Sequence, residues 1–425
     1  MLDIKYIRQN ADKVKEAAKN KLVKVDIDRL LVLDKEIISI NQLLDEKKCS
    51  RNELSSKIPS LSNDERLETI DIVKNLKEEI AVLEDKVSPL KEEYTNLMYL
   101  VPSVPYDDTP IGLTDEENVE IKKVGEIPTF NFDVKDHVTL SEELDLVDIP
   151  RGVKVSGSRS YFLKNEGMLL EMALTRYVID KLVGKGFTPM NVPLMVKEEA
   201  MYGTSYFPGG REQTYTINDD NLYLVGTSEV SLVSYNSNET FESPSELPKL
   251  YCGLSSCFRR EAGTYGKDTR GLYRVHQFTK IEQVIMCEAD FDKQYALHDF
   301  LLNNAEEILQ DLKIPYRVVK VCTGDMGNGQ VRKHDIEAWM PSRGKYSETH
   351  SCSSFADFQA RRSNIKYKDT DGTTKYCYTL NNTAIASPRI LIPLLELYQN
   401  EDGSVSIPDV LVPYMGGKTV INKKG

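Results

Sequence analysis

The stretch CFRREAGTYGKDTRGLYRVHQFTKIEQV, residues 257–284, holds the densest set of residues that could do chemistry. Arg259, Arg260, Arg270 and Arg274 fall beside Glu261 and Glu282, with Gly263, Gly266 and Gly271 between two apolar runs. Arginine presents a planar fork that matches phosphate and carboxylate oxygens, and a glycine-bearing loop lets backbone approach a ligand closely. Together these describe an anion site. A surface salt-bridge network would use the same residues, so composition alone leaves both readings open.

The elements that must position this stretch follow from periodicity. Strand-like runs at 251–258 and 272–284 flank the charged loop and predict an antiparallel pair. Further strand-like runs at 222–225, 273–278, 283–287, 316–321 and 375–380 alternate with helical patterns over about 166–184, 290–312 and 388–398, which predicts an α+β domain. The glycine-rich segment 324–329 lacks the lysine and hydroxyl of a P-loop and reads as a tight loop lining the site.

Residues 27–100 have a different character. Leu30, Leu33, Ile37, Ile40 and Leu44 step by three and four, and after a break at Pro59 a second seam runs Val73, Leu76, Ile80, Leu83, Val87, Leu90, Tyr94 and Leu97. Two such seams joined by a short turn predict an N-terminal antiparallel two-helix coiled-coil arm, each helix about 45 Å long. A helical bundle or a dimerisation coil would share the periodicity. The first seam turns polar where Lys47, Lys48, Arg51 and Lys57 cluster, whereas the second helix carries Glu78, Glu79, Glu84, Asp85, Glu92 and Glu93. A local cationic stretch is what binding a nucleic-acid backbone would need. The expected division is a helical domain over 1–104, a proline-bearing linker over 105–130 and a catalytic domain over 131–425.

Bulk properties exclude several classes. A net charge of −12 argues against a general nucleic-acid binder. No run of about 18 apolar residues exists, and the charged N-terminus does not resemble a signal peptide, so no membrane association is expected and the expected compartment is the cytoplasm. The seven cysteines are an odd, scattered set that fits reduced thiols. They and the five histidines show no paired ligand spacing, so no zinc is expected.

The wording of three segments is more specific than their composition. FRREAGTYGKDTRGLYRVHQF resembles motif 2 of class II aminoacyl-tRNA synthetases in the form used by seryl-tRNA synthetases. GFTPMNVPLMV, residues 186–196, resembles motif 1, and TLNNTAIASPRILIPLLE, residues 379–396, resembles motif 3. The family also carries an N-terminal helical arm of this length, so the likeness covers essentially the whole chain. It implies a class II catalytic domain with a central antiparallel sheet flanked by helices.

Carried over by position, the resemblance assigns Arg259 to the ATP α-phosphate and the substrate carboxylate, and Glu261 to the adenine edge. Arg260 joins them, Phe278 stacks on adenine, and Val275, His276 and Gln277 complete its floor. Arg389 is assigned to the γ-phosphate, and with Arg259 it is the expected catalytic pair. YSETHSCSSFADFQARR, residues 346–362, resembles the ATP and metal loop, which places Glu348, Thr349, His350 and Ser351 at ATP. Glu348 and Ser351 would hold Mg2+ against the phosphates, while no base is needed at His350. Thr227, Ser228 and Glu229 match the family's serine signature, and Glu282, Asn381 and Thr383 join Arg259 around the amino acid. Within motif 3, Ser387 is expected to cap a helix that starts at Pro388. Arg389 then falls in its first turn, and Pro393 lies in the helix interior, bending the axis.

The implied activity is that of a homodimeric ligase that activates L-serine with ATP and Mg2+, then charges serine tRNA and also selenocysteine tRNA. Lys47, Lys48, Arg51 and Lys57 would contact the tRNA. An amino acid ligase loading a carrier protein is one alternative, disfavoured by the intact arm. A non-catalytic paralogue is another, disfavoured because Arg259, Glu261, Glu348 and Arg389 are all present.

Overall fold

A computed structural model describes residues 1–263 and 270–423. The chain forms two compact units, residues 2–102 and 103–425 with Met1.

The first unit is helical. Two short helices, Ile4–Gln9 and Ala11–Asn20, precede α1 (Ile27–Lys57) and α2 (Asn63–Leu100). The Asp26 side chain accepts the Arg29 N–H and starts α1, and a Ser62/Glu65 capping box starts α2. Ile40, Leu44, Ile80 and Val87 bury one seam between them, with Ile37, Leu83 and Leu90 alongside. The basic cluster is not a free cationic surface. Lys47 pairs with Glu79 at 2.5 Å and Lys48 with Glu84 at 2.6 Å across the two helices, while Lys57 pairs with Glu53 at 2.7 Å and Arg51 donates to Asn52. The acidic helix lies beside the basic stretch, and opposite charges within a few ångströms satisfy one another first.

The second unit is built on an eight-stranded sheet. Its strands are β1 (Val119–Val124), β2 (Thr188–Asn191), β3 (Lys249–Phe258), β4 (Gln277–Cys287), β5 (Tyr316–Lys320), β6 (Arg332–Met340), β7 (Lys345–Ala356) and β8 (Tyr378–Ser387). They lie in the order β1-β5-β6-β7-β8-β4-β3-β2, antiparallel throughout except for β2 beside β3. Helices α3 (Asn165–Gly184) and α4 (Phe291–Asp311) cover one face. Leu170, Leu174, Leu301, Ala305 and Ile308 form a single core there with Ile281, Ile285, Ile336 and Ile385 of the sheet. Alternation along β4 sends Ile281 and Ile285 into that core and leaves Lys280 and Glu282 on the opposite face.

Four expectations from sequence need correction. The supposed linker contains β1, an exposed edge strand paired with β5. Residues 272–276 are irregular: Leu272 and Val275 are buried like strand residues, but Gly271 at φ +89° turns the chain and β4 begins only at Gln277. The segment read as a metal loop is largely β7. Finally, β8 runs to Ser387, and the motif 3 helix, α5, spans Leu391–Leu397. Pro393 is therefore in the first turn, where no N–H is required, and the Arg389 carbonyl accepts from Ile392 N–H at 3.2 Å.

Candidate active site

The exposed face of the central strands carries a cleft of about 190 Å3. Arg259 enters it from the end of β3, Phe278, Lys280 and Glu282 from β4, Glu348 and Ser351 from β7, Asn381 and Thr383 from β8, and Arg389 from the turn before α5. Register explains the convergence. Glu282 lies opposite Gly253 on β3 and Thr383 on β8, and Ser353 lies opposite Asn381. A bulge at Thr349, where Glu348 pairs with Glu337 but His350 with Ile336, resets the alternation so that both Glu348 and Ser351 line the cleft.

One end of the cleft is cationic. The Arg259 guanidinium sits 5.3 Å from the Phe278 ring centroid and donates to the Gly226 carbonyl through two long contacts of 3.4 Å. Arg274 reaches Glu261 at 3.4 Å, and Glu261 itself adopts a left-handed φ of +52°. Arg389 lies over the Tyr273 ring at 4.4 Å, donates to the Glu348 carbonyl at 3.2 Å and approaches its carboxylate at 3.8 Å. Partial desolvation by the cleft walls works against ionisation of the half-exposed Glu348, but the fields of Arg389, Lys333, Arg259 and Arg274 outweigh it and hold the carboxyl below its ordinary range. The weak, long contacts of Arg259 and Arg389 leave donors available to an anion. Behind Glu348, burial pushes the Asp335 carboxyl up to about 6 despite its pairing with Lys333 at 3.1 Å.

The other end is buried and mixed in charge. Lys280 and Glu282 form an ion pair there, and Thr383 donates to Glu282 at 3.4 Å. Glu229 stands at the start of a short helix, Glu229–Ser234, where the Thr227 hydroxyl accepts its N–H at 3.3 Å. Burial first, then the like charge of Glu282, push the Glu229 carboxyl up to about 7, opposed by hydrogen bonds from Gln359 and Asn381 and by Lys280. Two carboxylates against one lysine leave room for one cationic group. The hydroxyl of Thr383 and the amide of Asn381 add neutral partners for a small polar molecule.

Two domain models match this chain, Seryl-tRNA synthetase N-terminal domain over residues 1–105 and tRNA synthetase class II core domain (G, H, P, S and T) over 214–398. The serine–tRNA ligase of Deinococcus radiodurans is 43% identical over 423 residues, covering 100% of this chain and 99% of the relative. That of Treponema denticola is 43% identical over 98% of this chain and 99% of its own length. The chain belongs to the seryl-tRNA synthetase family. Among solved structures, seryl-tRNA synthetase from Pyrococcus horikoshii complexed with ATP superposes with a TM-score of 0.90 at 37% identity, with 100% of both chains covered. Prolyl-tRNA synthetase of Giardia lamblia, at 16% identity and a TM-score of 0.57 over 65% of this chain and 55% of its own, shares the fold.

Within this ligase family's cleft stand most of the residues expected from sequence: Arg259, Glu261, Val275, Phe278, Glu348, Thr349, Ser351 and Arg389, with Thr227, Glu229, Glu282, Asn381 and Thr383. Five others lie outside it. Arg260 is exposed to solvent beyond the end of β3, with its N–H donated to the Gln213 carbonyl at 2.9 Å. His276 and Gln277 line a neighbouring groove with Tyr161 and Phe162, and the His276 ring is held by the Arg259 carbonyl at 2.9 Å. His350 faces the core side of β7, bonded to Thr349 Oγ1 and to the Ala384 carbonyl, and burial lowers it to about 4. Ser228 is turned away and donates to the Gly253 carbonyl at 3.1 Å; a Cβ on Gly253 would lie 2.7 Å from that hydroxyl, so the pair packs strand to helix. Reading by sequence missed Lys280 as a cleft residue although it lies in the dense stretch, while Arg274, one of the arginines of the expected anion site, does line the cleft. Tyr206, Tyr273 and Gln330 also line the cleft; Tyr273 lay in a strand-like run without being picked out, and no periodicity or spacing marked the other two.

Proposed function

We propose that the chain uses ATP to activate L-serine as seryl-adenylate and transfers the seryl group to serine tRNA. The observation that carries this reading is the pairing, in one cleft, of a cationic end lined by Arg259, Arg274 and Arg389 with a buried end that suits an ammonium and a hydroxyl. Arg259 lies at the cationic end, and its guanidinium contacts the carbonyl of Gly226, the residue before Thr227 of the other end. There it would hold the serine carboxylate against the α-phosphate and neutralise charge that builds as a carboxylate oxygen bonds to phosphorus and pyrophosphate leaves. Arg389 would hold the γ-phosphate, and Phe278 and Glu261 would receive adenine. In the second step a terminal ribose hydroxyl of the tRNA attacks the seryl carbonyl, its proton is lost, and AMP departs. Binding and preorganised charge supply the catalysis, with no covalent enzyme intermediate.

Glu229 and Glu282 fit the serine ammonium, and Thr383 and Asn381 the hydroxyl. A site built to bond a hydroxyl rejects alanine because its own polar groups would be left unpaired. The half-exposed, ionised Glu348 carboxylate and the Ser351 hydroxyl suit Mg2+, a hard cation held through few protein oxygens and the substrate phosphates. Among the described residues no group of three His, Cys, Asp or Glu is placed to cage a metal. Mg2+ bound there would offset phosphate charge.

A homodimer is part of the proposal. Val155, Phe162, Met168, Leu169 and Met172 expose apolar side chains on and beside α3, a concentration suited to a second copy of the chain. The helical unit would grip serine tRNA and, by the same means, selenocysteine tRNA. Lys47, Lys48 and Lys57 would have to exchange their present acidic partners, and Arg51 its Asn52 partner, for phosphates. Free cysteines support a reducing compartment, the cytoplasm. Serine-dependent exchange of pyrophosphate into ATP with Mg2+ present tests the reading; no exchange above that with alanine would overturn it. Charging of serine tRNA, with none of a carrier protein, separates it from the carrier-loading alternative.

A further inference from the structure

We propose that Gln359, a residue behind the cleft lining, is the positioning residue that aims the Glu229 carboxylate at the substrate ammonium. The inference rests on the serine reading of the cleft. Gln359 lies on the short helix Phe358–Ser363 and is 1% exposed. Its amide nitrogen donates to Glu229 Oε1 at 2.7 Å and to the Thr204 carbonyl at 3.4 Å, and its amide oxygen accepts from Thr379 Oγ1 at 2.7 Å. Thr379 is fully buried at the start of β8. The amide is thus bonded at both ends, and its orientation is set: with the oxygen engaged by Thr379, the NH2 group faces Glu229.

This contact matters because Glu229 is pressed from other sides. The titratable groups facing it are Glu282 and Lys280 on β4 and the Tyr206 phenol; Asn381 adds a neutral amide. Glu282 favours a protonated Glu229, and a protonated carboxyl cannot receive an ammonium as a charge partner. A donor at 2.7 Å to the carboxylate favours the ionised form and fixes one of its oxygens. Gln359 touches neither ATP nor the reacting atoms in this scheme. Its effect passes through Glu229.

Pyrophosphate exchange measured against serine, ATP and pH tests this on the intact enzyme. In Gln359→Glu, which keeps shape but replaces the donor by a second carboxyl, the KM for serine should rise tenfold or more, roughly what a charged hydrogen bond supplies. The KM for ATP should stay within about twofold. The acid limb of kcat/KM for serine should move up by roughly one pH unit, because two adjacent carboxyls retain a shared proton to higher pH. Thr379→Val, which frees the amide but keeps it, should shift serine KM in the same direction by about threefold, and it decides the matter if Gln359→Glu does not fold. Parallel rises in both KM values, or an acid limb unmoved in both variants, would overturn the assignment. Wild-type enzyme without serine-dependent exchange would instead overturn the serine reading, and this inference with it.

Discussion

Replacing Lys280 by Met asks what holds the buried end of the cleft together. Lys280 and Glu282 have side chains 7% and 3% exposed, and a second buried carboxylate, Glu229, faces them. Two unit charges about 4 Å apart gain roughly 1 kcal/mol in bulk water but about 4 kcal/mol at an effective dielectric of ~20. Removing the cation forfeits that attraction and leaves two carboxylates in one buried space, so K280M should lose about 3–5 kcal/mol of stability. The arm pair Lys48–Glu84, with side chains 41% and 51% exposed, is the comparison: screening limits K48M to about 1 kcal/mol or less. pH supplies a second check. Glu229 is already pushed up to about 7 in the folded chain, above the roughly 4.3 of an unfolded glutamate. Such a group takes up a proton on folding, so its contribution falls as pH rises through that window. Without Lys280 the cluster needs the proton more, and the K280M deficit should be largest near about pH 8 and shrink toward about pH 6. Urea unfolding followed by circular dichroism at both pH values measures this. A loss under about 1 kcal/mol at the higher pH, or one indifferent to pH, would refute the picture of a buried, charge-balanced cluster.

Other consequences are open to direct measurement. Arg259→Ala should lower serine-dependent pyrophosphate exchange by at least about 100-fold, the scale of losing a preorganised donor at a developing charge; near-normal exchange would mean that the arginine does not act at the α-phosphate. Excising residues 27–100 and joining the ends by a short linker should abolish charging of serine tRNA while exchange survives, whereas equal loss of both would make the helices structural. Glu348→Gln should raise the Mg2+ concentration needed for half-maximal exchange, and an unchanged requirement would remove Glu348 from the metal's surroundings.

The sequence by itself determined the helical pair, because three-and-four spacing from Leu30 to Leu44 and from Val73 to Leu97 specifies a buried seam wherever the helices lie. It also showed Arg259, Glu261 and Arg274 crowded into one stretch, a composition that suits an anion site and a salt-bridge network alike. The wording of the three motifs then identified the family. Tertiary structure decided which neighbours in sequence share a face. The bulge at Thr349 sends Glu348 into the cleft and His350 into the core, and Ser228 packs against Gly253 while Thr227 and Glu229 line the site. It also decided the charge balance. The basic stretch from Lys47 to Lys57 found acidic partners, two of them, Glu79 and Glu84, on the second helix, and the isolated Glu229 acquired Glu282 and Lys280 from β4 and Gln359 from a second distant segment. Periodicity reports which side of an element is buried, but a carboxylate's ionisation depends on everything within a few ångströms, and only the folded chain brings those groups together.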